Sequence, residues 1–202
     1  MLEIPSTTLP YPKPMYNNGP VVMNKPDWNL ANRKFFTTDA RITFKVFMIG
    51  VPCSEKGNSL LRDPKDTIWN DFHKAMQTIY RTATIQDVGR QINSDFGNRA
   101  KAQESVEEAK RKGANFVMLL LEKKSTPLYS IFKDLADCQY GMQSLCIVYT
   151  KRLSPQYWGN VAMKINLKAG GINHTISGIE LIMKDTLVLG ACVVAHRPKY
   201  SR

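Results

Sequence analysis

Apolar residues along this chain switch repeatedly between two spacings, and the switches outline its elements. Arg41 to Gly50 alternates at first and then turns apolar, which predicts a strand ending on glycine. Ile68, Phe72, Met76 and Ile79 recur at the spacing of one helical face, with Asp66 placed to cap that helix. Ala83 to Val88 predicts another strand. Gln103 to Lys112 predicts a charged helix that buries Val106 and Ala109 and stops at Gly113. Asn115 to Leu121 is nearly all apolar, as expected of a strand covered on both faces. Ser144 to Tyr149 predicts a further strand. Ser154-Pro155 then opens a helix that runs to about Lys168 and is closed by Gly170-Gly171. Ile176 to Met183 and Thr186 to Val194 predict two last strands, split by Lys184-Asp185. Strands alternating with helices predict an α/β fold of Rossmann-like type, a central, mainly parallel sheet flanked by helices. Ligands of such sheets bind beyond the carboxyl ends of the strands.

One of those ends leads into Ser125-Thr126-Pro127-Leu128-Tyr129-Ser130-Ile131-Phe132-Lys133. Thr126 reads as an N-cap and Pro127 as the first helical residue, where a missing N–H costs nothing. Leu128, Ile131, Phe132 and Leu135 form an apolar stripe, and Tyr129 and Lys133 share a face beside it. A ring and an ammonium group near a helix N-terminus suit a phosphorylated nucleotide; the same pair also describes a solvated face with a snorkelling lysine. In the Ser154 helix, Trp158, Val161, Ala162 and Ile165 sit at core spacing, while Asn160, Lys164 and Lys168 make a separate polar line. Lysines from both helices converging on one point would repel unless an anion sat between them, and a terminal phosphate supplies about two negative charges. Such a pocket needs neither metal nor glycine-rich loop.

Charge sharpens the choice of partner. Lys and Arg number 28 against 17 Asp and Glu, a formal charge of +11, which favours polyanions: nucleic acid first, an acidic membrane surface second. Cys53, Cys138, Cys146 and Cys192 show no CxxC pair or nearby histidine spacing, so no zinc site is expected, and Cys146 in its apolar run predicts a buried thiol. No signal peptide is legible and no apolar run approaches the ~18 residues that cross a bilayer, so a reducing, cytoplasmic setting without membrane partners is expected. Met1 to about Lys34 is rich in proline and predicts an extended strap, its end tacked down by Trp28, Leu30 and Phe35. The alternative reading is a small Rossmann-like nucleotide-dependent enzyme. Against it stand the lack of GxGxxG, GxxxxGK[ST] or clustered carboxylates and the scatter of His73, His174 and His196. A scaffold for protein partners is a third reading that no motif specifies.

Two runs carry a family resemblance. Ser125-Thr126-Pro127-Leu128-Tyr129, Lys133, Gly141-Met142 and Cys146, with Lys164-Ile165-Asn166-Leu167-Lys168-Ala169-Gly170-Gly171-Ile172-Asn173, resemble the MID domain of eukaryotic-type Argonaute proteins. The lead-in Trp28-Asn29-Leu30-Ala31-Asn32-Arg33-Lys34-Phe35 looks like the linker before that domain, and Leu189-Gly190-Ala191 like the first strand of the PIWI domain after it. The resemblance implies a division into a strap at 1–36, a MID domain at 37–183 and the start of PIWI at 184–202. It implies a module that grips the 5′-phosphorylated end of a small guide RNA, with the other Argonaute domains, PIWI above all, as partners, and a fragment that is itself monomeric.

By that resemblance Tyr129 would stack on the first base and, with Lys133, Lys164 and Lys168, hold the 5′ phosphate. Lys124, Ser125 and Thr126 would inspect the base edge, and lysine at 168 would stand in for any metal, with no cofactor. Two positions depart from the pattern. Leu145 occupies the place of a phosphate-binding glutamine, for which Gln143, two residues earlier on the same side of an extended chain, is the expected substitute. Cys192 stands where the first aspartate of a slicing site is expected, and the sequence shows no other residues of that site, so the polypeptide is expected not to cleave RNA.

Overall fold

Phe116–Leu121 is buried at all six positions, and the other elements are arranged to cover it. The computed structural model describes residues 11–23, 30, 33–38, 43–53, 67–79, 84–149, 153–178, 183–184 and 186–187. Its strands are β1 (Pro14–Tyr16), β2 (Gly19–Pro20), β3 (Thr43–Val51), β4 (Thr84–Ile92), β5 (Phe116–Leu121), β6 (Gln143–Val148) and β7 (Thr175–Ile176). Its α-helices are α1 (Thr67–Ile79), α2 (Arg99–Arg111), α3 (Thr126–Lys133) and α4 (Pro155–Lys168), and a π-helical segment, Asp134–Gln139, follows α3 directly.

The main sheet has the order β4-β3-β5-β6, with every pair parallel, as the alternation of periods predicts. Alternate residues of each strand point to opposite faces. On one face Phe44, Val46, Met48, Phe116, Met118, Leu120, Leu145 and Ile147 pack against Ile68, Phe72 and Met76 of α1 and Trp158, Val161, Ala162 and Ile165 of α4. On the other face Phe47, Ile49, Val51, Val117, Leu119 and Leu121 pack against α2, α3 and the π segment through Ala102, Val106, Ala109, Phe132, Leu135 and Ala136. Three layers result, and β6 is the outermost described strand on one side.

Several boundaries differ from expectation. The charged helix α2 starts at Arg99, because Asn98 caps it with a side chain that accepts from Ala100 N–H, and it also buries Ala102 and Ser105. The strap is less bare than its prolines suggest: β1 and β2 form a hairpin that pairs through β1 with β7, and Tyr16, Val21 and Phe35 are buried against the core. Leu30 packs there too, so close that a Cβ on Gly159 would meet its Cδ1 at 3.5 Å. Of the strand expected over Ile176 to Met183, Thr175–Ile176 is a strand, the chain turns at Gly178 with φ +82°, and residues 179–182 lie outside the described residues. Thr186 and Leu187 lie outside any strand, and the remainder of the strand expected there, with Asp66, Trp28 and Cys192, lies outside the described residues.

The end of α4 is fixed by a Schellman motif. Gly170 N–H donates to Leu167 O at 3.1 Å and Gly171 N–H to Asn166 O at 2.8 Å, with Gly170 in the left-handed region at φ +82°. Beneath it, the fully buried Asn166 donates to Asn173 Oδ1 at 2.9 Å, and Asn173 donates to Met163 O at 3.1 Å. A Cβ on Gly171 would lie 2.1 Å from Asn166 Oδ1, so any side chain there must break this pairing. Gly171→Ala is expected to destabilise the fold by about 2 kcal/mol, read as a drop in Tm of several degrees.

Candidate functional site

The two proline-started helices lie on opposite faces of β6, and both run antiparallel to it. Each begins where a strand ends and returns toward the strands' amino ends, so residues late in either helix arrive near the start of β6. In α3 the cap is Ser125, whose extended backbone (φ −142°, ψ 110°) lets its hydroxyl accept from Leu128 N–H at 3.5 Å. Thr126, expected as the cap, is the first helical residue, and Pro127 the second, where its missing N–H is equally harmless. Lys124 and Thr126 are exposed at this end.

One turn further, Tyr129 is 46% exposed, and Lys133 Nζ lies 5.9 Å from its ring centroid. The Lys133 ammonium group donates to Ser144 Oγ at 2.6 Å, to Ser144 O at 3.1 Å and to Asp137 Oδ2 at 3.2 Å. The Ser144 hydroxyl in turn donates to Asp137 Oδ1. An ammonium group has three protons, so every donor of Lys133 is taken. The π-helical segment brings this about: Tyr140 N–H reaches back to Leu135 O at 3.0 Å, and the widened turn carries the chain from α3 into β6.

On β6, Ser144 and Cys146 face α3, whereas Leu145 faces α4 and is 5% exposed in the core. Gln143, on the same side as Leu145, is exposed at the amino end of the strand. Burial pushes the Cys146 thiol up to about 11, while the positive charges of Lys133 and Lys164 pull it down. Lysines from two helices on opposite faces thus act on one thiol. Lys164 is exposed and Lys168, the last residue of α4, half-buried. The start of α4 lies by the other end of β6: burial and then the nearby Cys146 raise the Tyr157 phenol, opposed by a backbone hydrogen bond at Val148.

Tyr129 and Lys133 thus lie together beside the start of β6, Lys133 and Lys164 both act on the Cys146 thiol, Gln143 is exposed at the amino end of that strand, and Lys168 ends α4. The lysines sit late in helices that lead away from the carboxyl ends of the strands, whereas ligands of such sheets are expected beyond those ends. Lys124, Ser125 and Thr126 do lie at the carboxyl end, and the eight residues from Thr126 to Lys133 span about 12 Å of helix. Asp137 and Ser144 were not singled out from sequence. The four-residue spacing of Lys133 and Asp137 was the available signal, but the role of Ser144 depends on tertiary contact. Among the described residues no group of three or more His, Cys, Asp or Glu side chains is placed to hold a metal ion. No helix of the described residues is long and apolar enough to cross a membrane.

Known proteins resemble this chain in part of its sequence and in its fold. Residues 116–200 match the sequence model of the Piwi domain. The N. crassa QDE-2 AGO MID-PIWI domains share the fold with a TM-score of 0.55 and 24% identity, over 68% of this chain and 37% of that one. Drosophila Piwi gives 0.60 and 16% identity, over 84% of this chain and 23% of that one. The isolated N. crassa QDE-2 AGO MID domain aligns at 0.48 with 22% identity, over 63% of this chain and 98% of that one. Residues 116–200 are thus similar in sequence to a Piwi domain, and the chain shares the α/β fold of the QDE-2 MID-PIWI and Piwi structures. The match spans little more than a third of the QDE-2 MID-PIWI chain and under a quarter of Piwi.

The charge environment of Cys146 is open to direct measurement. A thiol held near 11 carries about a hundredfold less thiolate at pH 8 than one near 9, so alkylation followed peptide by peptide should be far slower at Cys146 than at the exposed Cys53 and Cys138. Lys164→Ala should slow Cys146 further. An unchanged rate would place that ammonium group away from the thiol.

Proposed function

We propose that this chain is a guide-binding module that anchors the 5′-phosphorylated terminal nucleotide of a small RNA. Tyr129 stacks on the first base and contributes to the phosphate site with Lys133, Gln143, Lys164 and Lys168. The observation that carries the reading is the placement of the Lys133 ammonium group 5.9 Å from the half-exposed ring of Tyr129, supported by the charge of Lys164 reaching the same thiol, Cys146, as that of Lys133. A ring open to solvent next to cations is what stacking with charge capture requires. The loop Lys124, Ser125 and Thr126 supplies base preference, although the capping bond of Ser125 leaves Lys124 and Thr126 as its freer members.

The module is a binder and not an enzyme. It divides into a strap at 1–36, a MID domain at 37–183 and the start of a PIWI domain from 184, works in the cytoplasm beside the other Argonaute domains, and is monomeric as a fragment. Lys168 takes the place of a metal. Gln143 replaces the donor that Leu145, buried in the core, does not supply.

Titration with nucleoside 5′-monophosphates and the matching nucleosides, at two salt concentrations, tests the reading. Lys164→Ala is expected to weaken monophosphate binding by about tenfold while leaving the nucleoside nearly unaffected, and to flatten the salt dependence. Equal losses for both ligands would reduce the lysines to general attraction and remove the phosphate site.

A further inference from the structure

Lys133 presents a difficulty for any anion site at this position, because the ligand-free protein already supplies it with an anion. Its three donors go to Ser144 Oγ, Ser144 O and Asp137 Oδ2, and the second oxygen of Asp137 is held by the Ser144 hydroxyl. Ser144 is fully buried, so the bridge is anchored in the sheet, whereas the Asp137 side chain is 35% exposed and open to replacement. The carboxylate sits one helical turn beyond the lysine, in the π segment, 3.2 Å from the ammonium group.

We infer that Asp137 is an internal counter-anion that occupies Lys133 in the empty site and competes with an incoming phosphate for it. The inference rests on the phosphate-binding reading above for its ligand, but its geometry does not. The Lys133 side chain is only 22% exposed, and an ammonium group so screened from water is costly without an anion beside it. Asp137 supplies that anion at 3.2 Å. A phosphate that engages Lys133 must displace the carboxylate or share the lysine with it at the cost of like-charge repulsion. Either way Asp137 stabilises the empty protein and weakens the complex. It is a positioning residue with an adverse charge, and its removal should strengthen binding.

Asp137→Asn separates charge from shape, since the amide oxygen still accepts from Lys133 and the side chain keeps its size. Binding of uridine 5′-monophosphate and of inorganic phosphate is measured for the wild type, Asp137→Asn, Asp137→Ser, and each of these two combined with Lys133→Met. The expected result is an affinity gain of about threefold to tenfold for a folded Asp137 variant, a steeper salt dependence, and loss of the gain when Lys133 is also replaced. The ligand-free variant should melt at lower temperature than the wild type and recover the difference on adding ligand.

A gain with either probe that Lys133→Met removes supports the inference. A gain with inorganic phosphate alone, while no variant binds the nucleotide, keeps the inference and overturns the guide-end reading. Unchanged or weaker binding in both folded Asp137 variants, with the wild type binding the nucleotide, overturns the inference and leaves that reading in place.

Discussion

Burial of Phe116–Leu121 on both faces is the constraint from which the rest follows. A strand with no polar face must have a layer of helices on each side, and its parallel neighbours require crossover helices that run back against the strands. α3 is the crossover from β5 to β6, and α4 follows β6 on the opposite face. Both helices bring lysines to the outermost described strand on that side, where Lys133 and Lys164 each act on the Cys146 thiol.

Concentrating cations in this way is unfavourable unless their charge is answered, and the two helices answer it differently. On the α3 side a side-chain network does so: Lys133, Asp137 and Ser144 satisfy one another in a part-buried setting where an unpaired ammonium group would be costly. On the α4 side rigidity comes from the backbone. The Schellman turn at Gly170 and Gly171 and the Asn166–Asn173 pair fix the helix end, which holds Lys168 on an immobile base while Lys164 stays exposed. One lysine is pre-paired and the others are pre-placed. A site built this way has rigid supports but unequal readiness for a ligand.

The sheet and both proline-started helices were legible because their signals are local. An unbroken apolar run, a hydroxyl before a proline and a Gly-Gly stop each act within a few residues. Even so, the adjacent hydroxyls of Ser125 and Thr126 offer the same capping chemistry, and only backbone geometry selects Ser125. Tyr16 and Val21 were missed because isolated apolar residues among prolines have no period, though each finds a place in the core beside Phe35, which was expected to tack the strap down. At Ile176, the start of an expected strand, the short pairing with β1 is followed by a turn at Gly178, a glycine whose positive φ no apolar pattern announces. The Ser144 bridge was illegible for another reason: it joins the end of one element to the start of the next, and the π segment that aligns them has no sequence rule.

Leu145 and Gln143 illustrate how a departure at one position moves chemistry along a strand. Leu145 packs among Ile147 and the α4 core, so a polar donor there would have to give up water, and with leucine the position serves the sheet alone. Gln143 lies two residues nearer the amino end, a shift of about 7 Å along β6. Lys168 lies four residues beyond Lys164, a shift of about 6 Å along α4 in the same direction. Gln143 is exposed there, and Lys168, at the end of α4, is half-buried. The polar face there draws on three elements, and none of its members has to enter the core.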